Sequence, residues 1–391
     1  MTRIEELVGN RWHGAHVQGR ACAELEEGFT VAPWPEVVGR SFTTHWDELA
    51  TTCATPNPFF EQWFLEPSLR QFDPKAEVNL ATLVVDGELV GLMPIRRDGN
   101  YHGTALPHLA NWLHANAFCG EPLVVQRHSR RFWDGMLGWC DRHGRTSLFL
   151  HLANLPCDGT AYRTLHEIGR ESGRSVKVVQ RIERAALRAG LSPQEHLASA
   201  LVKKRRKELQ RKHRRLAESG AFRFSRQRGD DDLVAWIDEF LDLERAGWKG
   251  AQGSALASHS TTEALFRDSL AGAAARGRLE RLAFHLDDRP VAMLCSFVAP
   301  PLCFGFKTAY DENLAKLSPG MLLQVENLAV LEREDIELSD SCATPDHPMI
   351  GQIWPDRRRI AMLSVGIGGR IRRSVGAALS AIELRRMETR A

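Results

Sequence analysis

The 391-residue chain predicts an α+β fold built as two tandem lobes, each a central mixed sheet flanked by helices. Three observations carry this prediction. Leu83-Val-Val-Asp-Gly-Glu-Leu-Val-Gly-Leu-Met93 aligns without a gap on Phe284-His-Leu-Asp-Asp-Arg-Pro-Val-Ala-Met-Leu294, 201 residues later. Both read as strand, acidic tight turn and strand, with a small residue (Gly91 or Ala292) in the return strand, so a duplicated unit follows. In the second half, helical patterns come first, then a hairpin, a strand, a helix and a last strand, which suits helices layered on a mixed sheet. Finally, a 43% hydrophobic and 26% charged composition is that of a globular chain, and its length fits two to three domains at about 150 residues each.

The elements follow in order. Residues 1–55 are weakly patterned, with Pro33 and Pro35 interrupting any long helix. Asn57-Pro-Phe-Phe-Glu-Gln-Trp-Phe-Leu65 reads as a capped helix start with aromatics facing a core. Residues 78–85 and 89–95 make strands around Asp86-Gly87, followed by a helix at 129–142, a strand at 147–152 and a helix at 158–172. Ser192, Pro193 and Glu195 form a capping box that opens the second lobe. Helices are then expected at 194–218, 230–245, 261–275 and 319–333, and strands at 222–226, 302–309 and 335–342, with a hairpin at 279–298. The resulting division is a first lobe at 1–190, a second at 191–361 and a basic amphipathic tail at 362–391.

Composition excludes several classes. No apolar run approaches the roughly 20 residues of a membrane-spanning helix, and the N-terminus has no signal-peptide core. Eight scattered cysteines without a C-x-x-C pair argue against a disulfide framework or a zinc ribbon and for a reducing cytosol. The ten histidines before residue 170 lack metal-ligand spacing, so no metal is expected. The net charge of +2 conceals an asymmetry, because residues 181–228 hold 15 basic and 4 acidic side chains. The run 203–215 has nine Lys or Arg and one Glu, a density that attracts phosphate, while Leu201, Leu209 and Leu216 supply a buried stripe. Without interleaved aromatics or a helix-turn-helix pattern, nucleic acid is not favoured as its partner.

The chemistry concentrates in residues 302–350. A strand at Leu302–Tyr310 precedes Ser318-Pro319-Gly320-Met321-Leu322, which starts a helix. The free N–H groups and positive dipole end of such a start make an anion site without any side-chain charge. Gly247-Trp248-Lys249-Gly250 is unusual for mere connection and suits a loop that meets substrate. Cys342, on an expected buried strand with no activating base, reads as core rather than nucleophile.

This ordered set resembles the GNAT acyltransferase superfamily, and more closely its FemAB-like and CelD-type branch with two GNAT-like lobes. The matching stretches are the basic helix 203–215, Gly247-Trp-Lys-Gly250 with Gly253-Ser-Ala-Leu256, Lys307-Thr-Ala-Tyr-Asp-Glu312, Ser318-Pro-Gly320 and Asp340-Ser-Cys-Ala-Thr-Pro-Asp-His-Pro-Met349. The hairpin and Pro58-Phe-Phe-Glu-Gln-Trp-Phe64 extend the likeness to about residues 55–365. The Arg/Gln-x-x-Gly-x-Gly/Ala phosphate loop of typical GNAT enzymes is absent, and Ser318-Pro-Gly320 stands in its place.

The resemblance implies transfer of an acyl group from acyl-CoA, as donor substrate, to an amine. Ser318, Pro319, Gly320, Met321 and Leu322 would then hold the diphosphate. Asp340 and His347 are the candidate bases, with Asp311 and Glu312 also in reach, and Tyr310 is the candidate proton source for the leaving thiolate. Backbone N–H groups of strand 302–309 would stabilise the oxyanion. Trp248, Lys249, Lys307 and Asp311 would meet substrate. The acceptor is a small amine, an amino-lipid such as a sphingoid-type base, or a cell-envelope amino sugar. Ile371, Val375, Ala378, Leu379 and Ile382, with arginines to one side, either dock on the protein or lie on an anionic membrane at its inner face. An aminoacyl-tRNA-dependent transferase and a non-catalytic lipid- or polysaccharide-binding scaffold are the rival readings.

Overall fold

The computed structural model describes residues 25–369 except His102, Asp346 and Pro348, together with Arg372, Arg373 and Gly376. Thirteen strands of the described residues form one sheet: β1 Gly28–Pro33, β2 Asn79–Val85, β3 Glu88–Asp98, β4 His108–Asn111, β5 Leu123–Val124, β6 Phe149–Pro156, β7 Val176–Arg188, β8 Phe222–Gln227, β9 Leu279–Leu286, β10 Arg289–Ala299, β11 Leu302–Tyr310, β12 Leu338–Asp340 and β13 Asp356–Gly366. Their order is β1-β2-β3-β4-β6-β13-β7-β12-β11-β10-β9-β8, with β5 beside β3.

That order has a pseudo-two-fold arrangement centred on the antiparallel β7–β13 pair, which runs from Asp356 opposite Ala186 to Val365 opposite Val176. Each half of the sheet takes its innermost strand from the other half of the chain. β13, the last strand, lies beside β6, whereas β7 precedes the second lobe in sequence yet pairs with β12. The two hairpins obey the same symmetry. Asp86-Gly87 and Asp287-Asp288 both turn with positive φ, the geometry that matches strand twist in a two-residue hairpin. The register also shifts at equivalent places, between Leu83 and Val84 opposite Val90 and between Pro290 and Ala292 around Val291.

Among the described residues, nine longer helices cover the sheet: α1 Arg40–Thr52, α2 Gln62–Phe72, α3 Ser129–His143, α4 Thr160–Ser172, α5 Pro193–Ala200, α6 Lys203–Ala217, α7 Leu233–Ala246, α8 Ser260–Ala275 and α9 Pro319–Asn327. In the second lobe, α7 and α8 pack on one face, with Phe240 and Phe266 buried. On the other face α5, α6 and α9 bury Leu209, Leu216 and Leu322. The aromatic segment that leads into α2 and forms its first turn ties the lobes together. Phe59 and Trp63 lie against Phe304 and Phe297, with ring centroids 5.8 Å and 4.8 Å apart, and α8 approaches α2 so closely that a Cβ on Gly272 would sit 2.7 Å from that of Trp63.

Several expectations need correction. Residues 1–55 contain β1 and α1 where little was expected. The helix expected at 194–218 breaks at Leu201-Val202, where the backbone is extended. The helix expected at 319–333 is α9 followed by tight turns to Glu332, and the strand expected at 335–342 shortens to β12. Most consequentially, 362–366 are not tail but the end of β13, at the centre of the sheet. Arg357-Arg-Arg359 disguised that strand as surface. Arg358 is in fact buried and paired with Asp340 and Asp158, while Arg359 pairs across the sheet with Glu183.

The apolar positions of the amphipathic tail from Ile371 onward lie outside the described residues. Arg372 and Arg373 bind the first lobe through Asp141, whose carboxylate accepts from Arg373 at 2.7 Å and whose carbonyl accepts from Arg372 at 3.0 Å. Among the described residues, no helix is long and apolar enough to cross a membrane.

Candidate active site

The site is made by a parallel strand pair that parts. β11 and β12 pair only over Leu302–Phe304 and Leu338–Asp340. Beyond Phe304, β11 keeps β10 as its strand neighbour, with a register shift between Cys295 and Ser296, and turns its other edge away from any strand. An extended chain can meet such an edge with its own amides.

At the end of that edge stands the N-terminus of α9. The N–H groups of Gly320 and Met321 donate to no protein acceptor among the described residues, whereas Leu322 N–H bonds back to Ser318. Ser318 differs from the expected N-cap. Its φ is +56° and its hydroxyl makes no cap bond, accepting instead from Lys212 Nζ at 2.9 Å. An ammonium from the basic helix α6 therefore stands beside two free amides at a positive helix end, and all three favour an anion. Tyr310 lies over this corner, because a Cβ on Gly320 would come within 2.9 Å of its ring and 3.6 Å of Met349 Sδ. Only glycine permits that stacking.

Trp248, Lys249, Thr308 and Tyr310 meet around a small cleft of about 20 Å³ that Glu244 also lines. Lys249 Nζ donates to Glu244 Oε1 at 2.7 Å, and the buried carboxylate also accepts the Leu256 N–H at 2.7 Å. Trp248 is 48% exposed, its backbone N–H held by Glu312 at 2.7 Å. Asp311 caps the turn after β11 by accepting the Asn313 N–H.

Lys307 points toward the first lobe. Its Nζ donates to Asn116 Oδ1 at 2.7 Å and lies over the rings of Phe118 and Phe306. Burial, reinforced by the charge of Lys249, pushes its pKa down to about 8. His347 is likewise shifted down by burial, and its Nδ1 accepts the Ile350 N–H at 3.4 Å. It is therefore neutral near pH 7 and able to take a proton.

Asp340 belongs elsewhere. It is 1% exposed and sits between Arg184 (3.7 Å) and Arg358 (3.3 Å), at the seam between lobes. A carboxylate committed to two buried guanidinium groups positions structure, so the expectation of a catalytic base is not carried by its surroundings. Cys342 is half-buried against the core, with burial of its thiol raising the pKa well above the ordinary value.

Sequence reading brought together Trp248, Lys249, Lys307, Tyr310, Ser318, Gly320 and Met321 but missed three contributors. Glu244 anchors Lys249, Lys212 reaches Ser318, and Asn116 crosses from the first lobe. Only Lys212 carried a signal, its place in the basic run.

The sequence profile of the acetyltransferase (GNAT) domain matches residues 203–346, the stretch holding Lys212, Glu244, Trp248, Lys249, Lys307, Tyr310 and the start of α9. By this match residues 203–346 hold a GNAT acetyltransferase domain, and the α+β fold around it is similar to that of solved structures. The crystal structure of FemX is similar over 82% of this chain and 95% of its own, at 8% identity and a TM-score of 0.53. A conserved protein of unknown function from Bacteroides thetaiotaomicron is similar over 84% and 98%, at 9% identity and a TM-score of 0.54. No curated protein matches the chain by sequence.

Proposed function

We propose that the protein is an N-acyltransferase that moves an acyl group from acyl-CoA to an amine. One observation carries this reading: the unpaired edge of β11 leads to a corner where Gly320 N–H, Met321 N–H and Lys212 Nζ can receive a diphosphate. The pantetheine arm, an extended amide chain, would run along residues 305–310 and bring the thioester beside Lys307.

The chemistry then assigns roles. The acceptor approaches as an ammonium and must lose a proton before its lone pair attacks the thioester carbon. His347, neutral and beside the charge of Lys249, is the base in this reading. The carbonyl oxygen gains charge as the C–N bond forms, and the Lys307 ammonium with the β11 amides stabilises it. Collapse breaks the C–S bond, and Tyr310 or water returns a proton to the thiolate. Trp248 covers the acceptor side. The small free volume by Trp248 and Tyr310 means that both side chains move aside when the donor enters.

The acceptor is a small amine, an amino-lipid or an amino sugar. A second reading, transfer from an aminoacyl-tRNA, draws support from the outer face of α6, where Lys203, Lys204, Lys207, Arg211, Arg214 and Arg215 are exposed. Thiol release from acetyl- and palmitoyl-CoA over a panel of amines tests the first reading. Release that depends on amine supports it, and transfer only from charged tRNA replaces it with the second.

A further inference from the structure

A short segment of the first lobe, residues 114–118 between β4 and β5, reaches the second lobe at Lys307. Three contacts pin it. Phe118 O accepts from Arg184 Nη1 at 2.7 Å, the Phe118 ring stands edge-on to Phe59 with centroids 5.5 Å apart, and His114 binds Ser68 of α2. The hydrogens of the last contact follow from its partners. Ser68 donates its one hydrogen to Phe64 O at 2.7 Å, so its oxygen accepts from His114 Nε2 at 3.0 Å. Nδ1 then carries the lone pair that takes the Asn116 N–H at 3.3 Å. The ring is neutral, since burial, reinforced by the charge of Lys307, holds its pKa down at about 3.

This chain of bonds fixes the backbone of Asn116, and Lys307 fixes its side chain. An ammonium only donates, so the amide atom 2.7 Å from Lys307 Nζ is Oδ1. Nδ2, on the other side of the same planar amide, meets no acceptor among the described residues. Lys307 Nζ likewise gives one hydrogen to Asn116 and finds no second acceptor among them, with the rings of Phe118 and Phe306 at 5.5 Å and 5.4 Å. Two neighbouring nitrogens, one from each lobe, therefore hold N–H groups that the protein leaves without acceptors. Asn116 is itself buried, and donors fixed in buried ground before reaction are what a developing negative charge needs.

We propose that Asn116 Nδ2 joins Lys307 Nζ in the oxyanion site, so that the first lobe completes the chemistry of the second. As the amine lone pair forms the C–N bond, the carbonyl π pair moves to oxygen, which accepts from both nitrogens. That pair returns to carbon as the C–S bond breaks and the thiolate leaves. An aminoacyl ester passes through the same oxyanion, with a C–O bond breaking instead. The proposal rests on the reading of acyl transfer to an amine and adds a first-lobe residue to it.

Steady-state kinetics of the full chain test it, with whichever donor the wild type uses, acyl-CoA or aminoacyl-tRNA, and with melting curves to establish that each variant is folded. Asn116→Leu, close in shape but without donor or acceptor, should lower kcat about a hundredfold and leave the donor KM unchanged. Asn116→Asp keeps an acceptor for Lys307 but has no N–H to offer, and should lose as much. Its carboxylate also holds the ammonium charged, so the fall in kcat above pH 8 should move to higher pH, a shift that a structural defect does not produce. A folded Asn116→Leu with wild-type kcat overturns the proposal, as does an alkaline fall that Asn116→Asp leaves in place. Asn116→Asp at wild-type kcat also overturns it, leaving Asn116 a positioning residue for Lys307. A wild type that transfers from neither donor ends the acyl-transfer reading, and the proposal with it.

Discussion

The Asp340 carboxylate and the Arg358 guanidinium lie 3.3 Å apart, each side chain only 2% exposed, and join the short strand β12 to the exchanged strand β13. Arg184 of β7 approaches the same carboxylate at 3.7 Å. One acid thus neutralises two buried bases on the strands that each lobe lends to the other. Asp340→Asn should remove about 3 kcal/mol of stability by taking from Arg184 its carboxylate and leaving Arg358 with Asp158 alone. Chemical denaturation measures it. An unchanged unfolding midpoint with a selective fall in kcat would return Asp340 to the chemistry.

Gly320 and Tyr310 form a second pair whose fit is legible in the distances. A methyl group on Gly320 meets the tyrosine ring at 2.9 Å. Gly320→Ala should cost about 1–2 kcal/mol by overpacking, and adding Tyr310→Ala should recover most of that loss. A double-mutant cycle reads the coupling; additive losses would mean that the two residues do not press on each other. A larger residue at 320 would lose donor binding for steric reasons alone and therefore makes a poor probe of the phosphate site.

Lys307 gives the reaction a pH signature. Burial pushes its pKa down to about 8, so the ammonium that steadies the oxyanion is lost as pH rises through that value. The kcat profile should fall above pH 8, and Lys307→Arg, which stays charged, should keep its rate there. A wild-type profile still rising at pH 9 would remove Lys307 from this role.

Glu121 gives stability a pH dependence of its own. Its carboxyl is fully buried at the N-terminus of α4, accepting the Ala161 N–H at 2.7 Å, and burial pushes its pKa up to about 7. The folded state therefore holds a proton that the unfolded chain releases near its ordinary value of 4.5. Stability must fall as pH rises from about 4.5 to about 7, by on the order of 3 kcal/mol. Glu121→Gln should flatten that slope and exceed the wild type in unfolding free energy at pH 8. Equal slopes in the two proteins would contradict the assignment.

What could be read from the sequence follows from the range of the interactions. The hairpins were legible because Asp86-Gly87 and Asp287-Asp288 act through their own turns, and the Ser192–Glu195 capping box because it closes within one helical turn. β13 was not, because its run of arginines is solvated in any local reading, and Arg358 becomes core only through Asp340 and Asp158, distant in sequence. The same holds in the site. Ser318-Pro-Gly320 announced a helix start locally, whereas Lys212 and Asn116 reach Ser318 and Lys307 across separations of 106 and 191 residues. No periodicity encodes such contacts.

The central claim is that α9 begins where a donor's diphosphate binds, and a crystal structure with CoA tests it most directly. The account predicts phosphate oxygens at about 3 Å from Gly320 N, Met321 N and Lys212 Nζ, with the pantetheine arm along residues 305–310. CoA bound elsewhere, with Tyr310 still seated on Gly320 and these amides untouched, would contradict it.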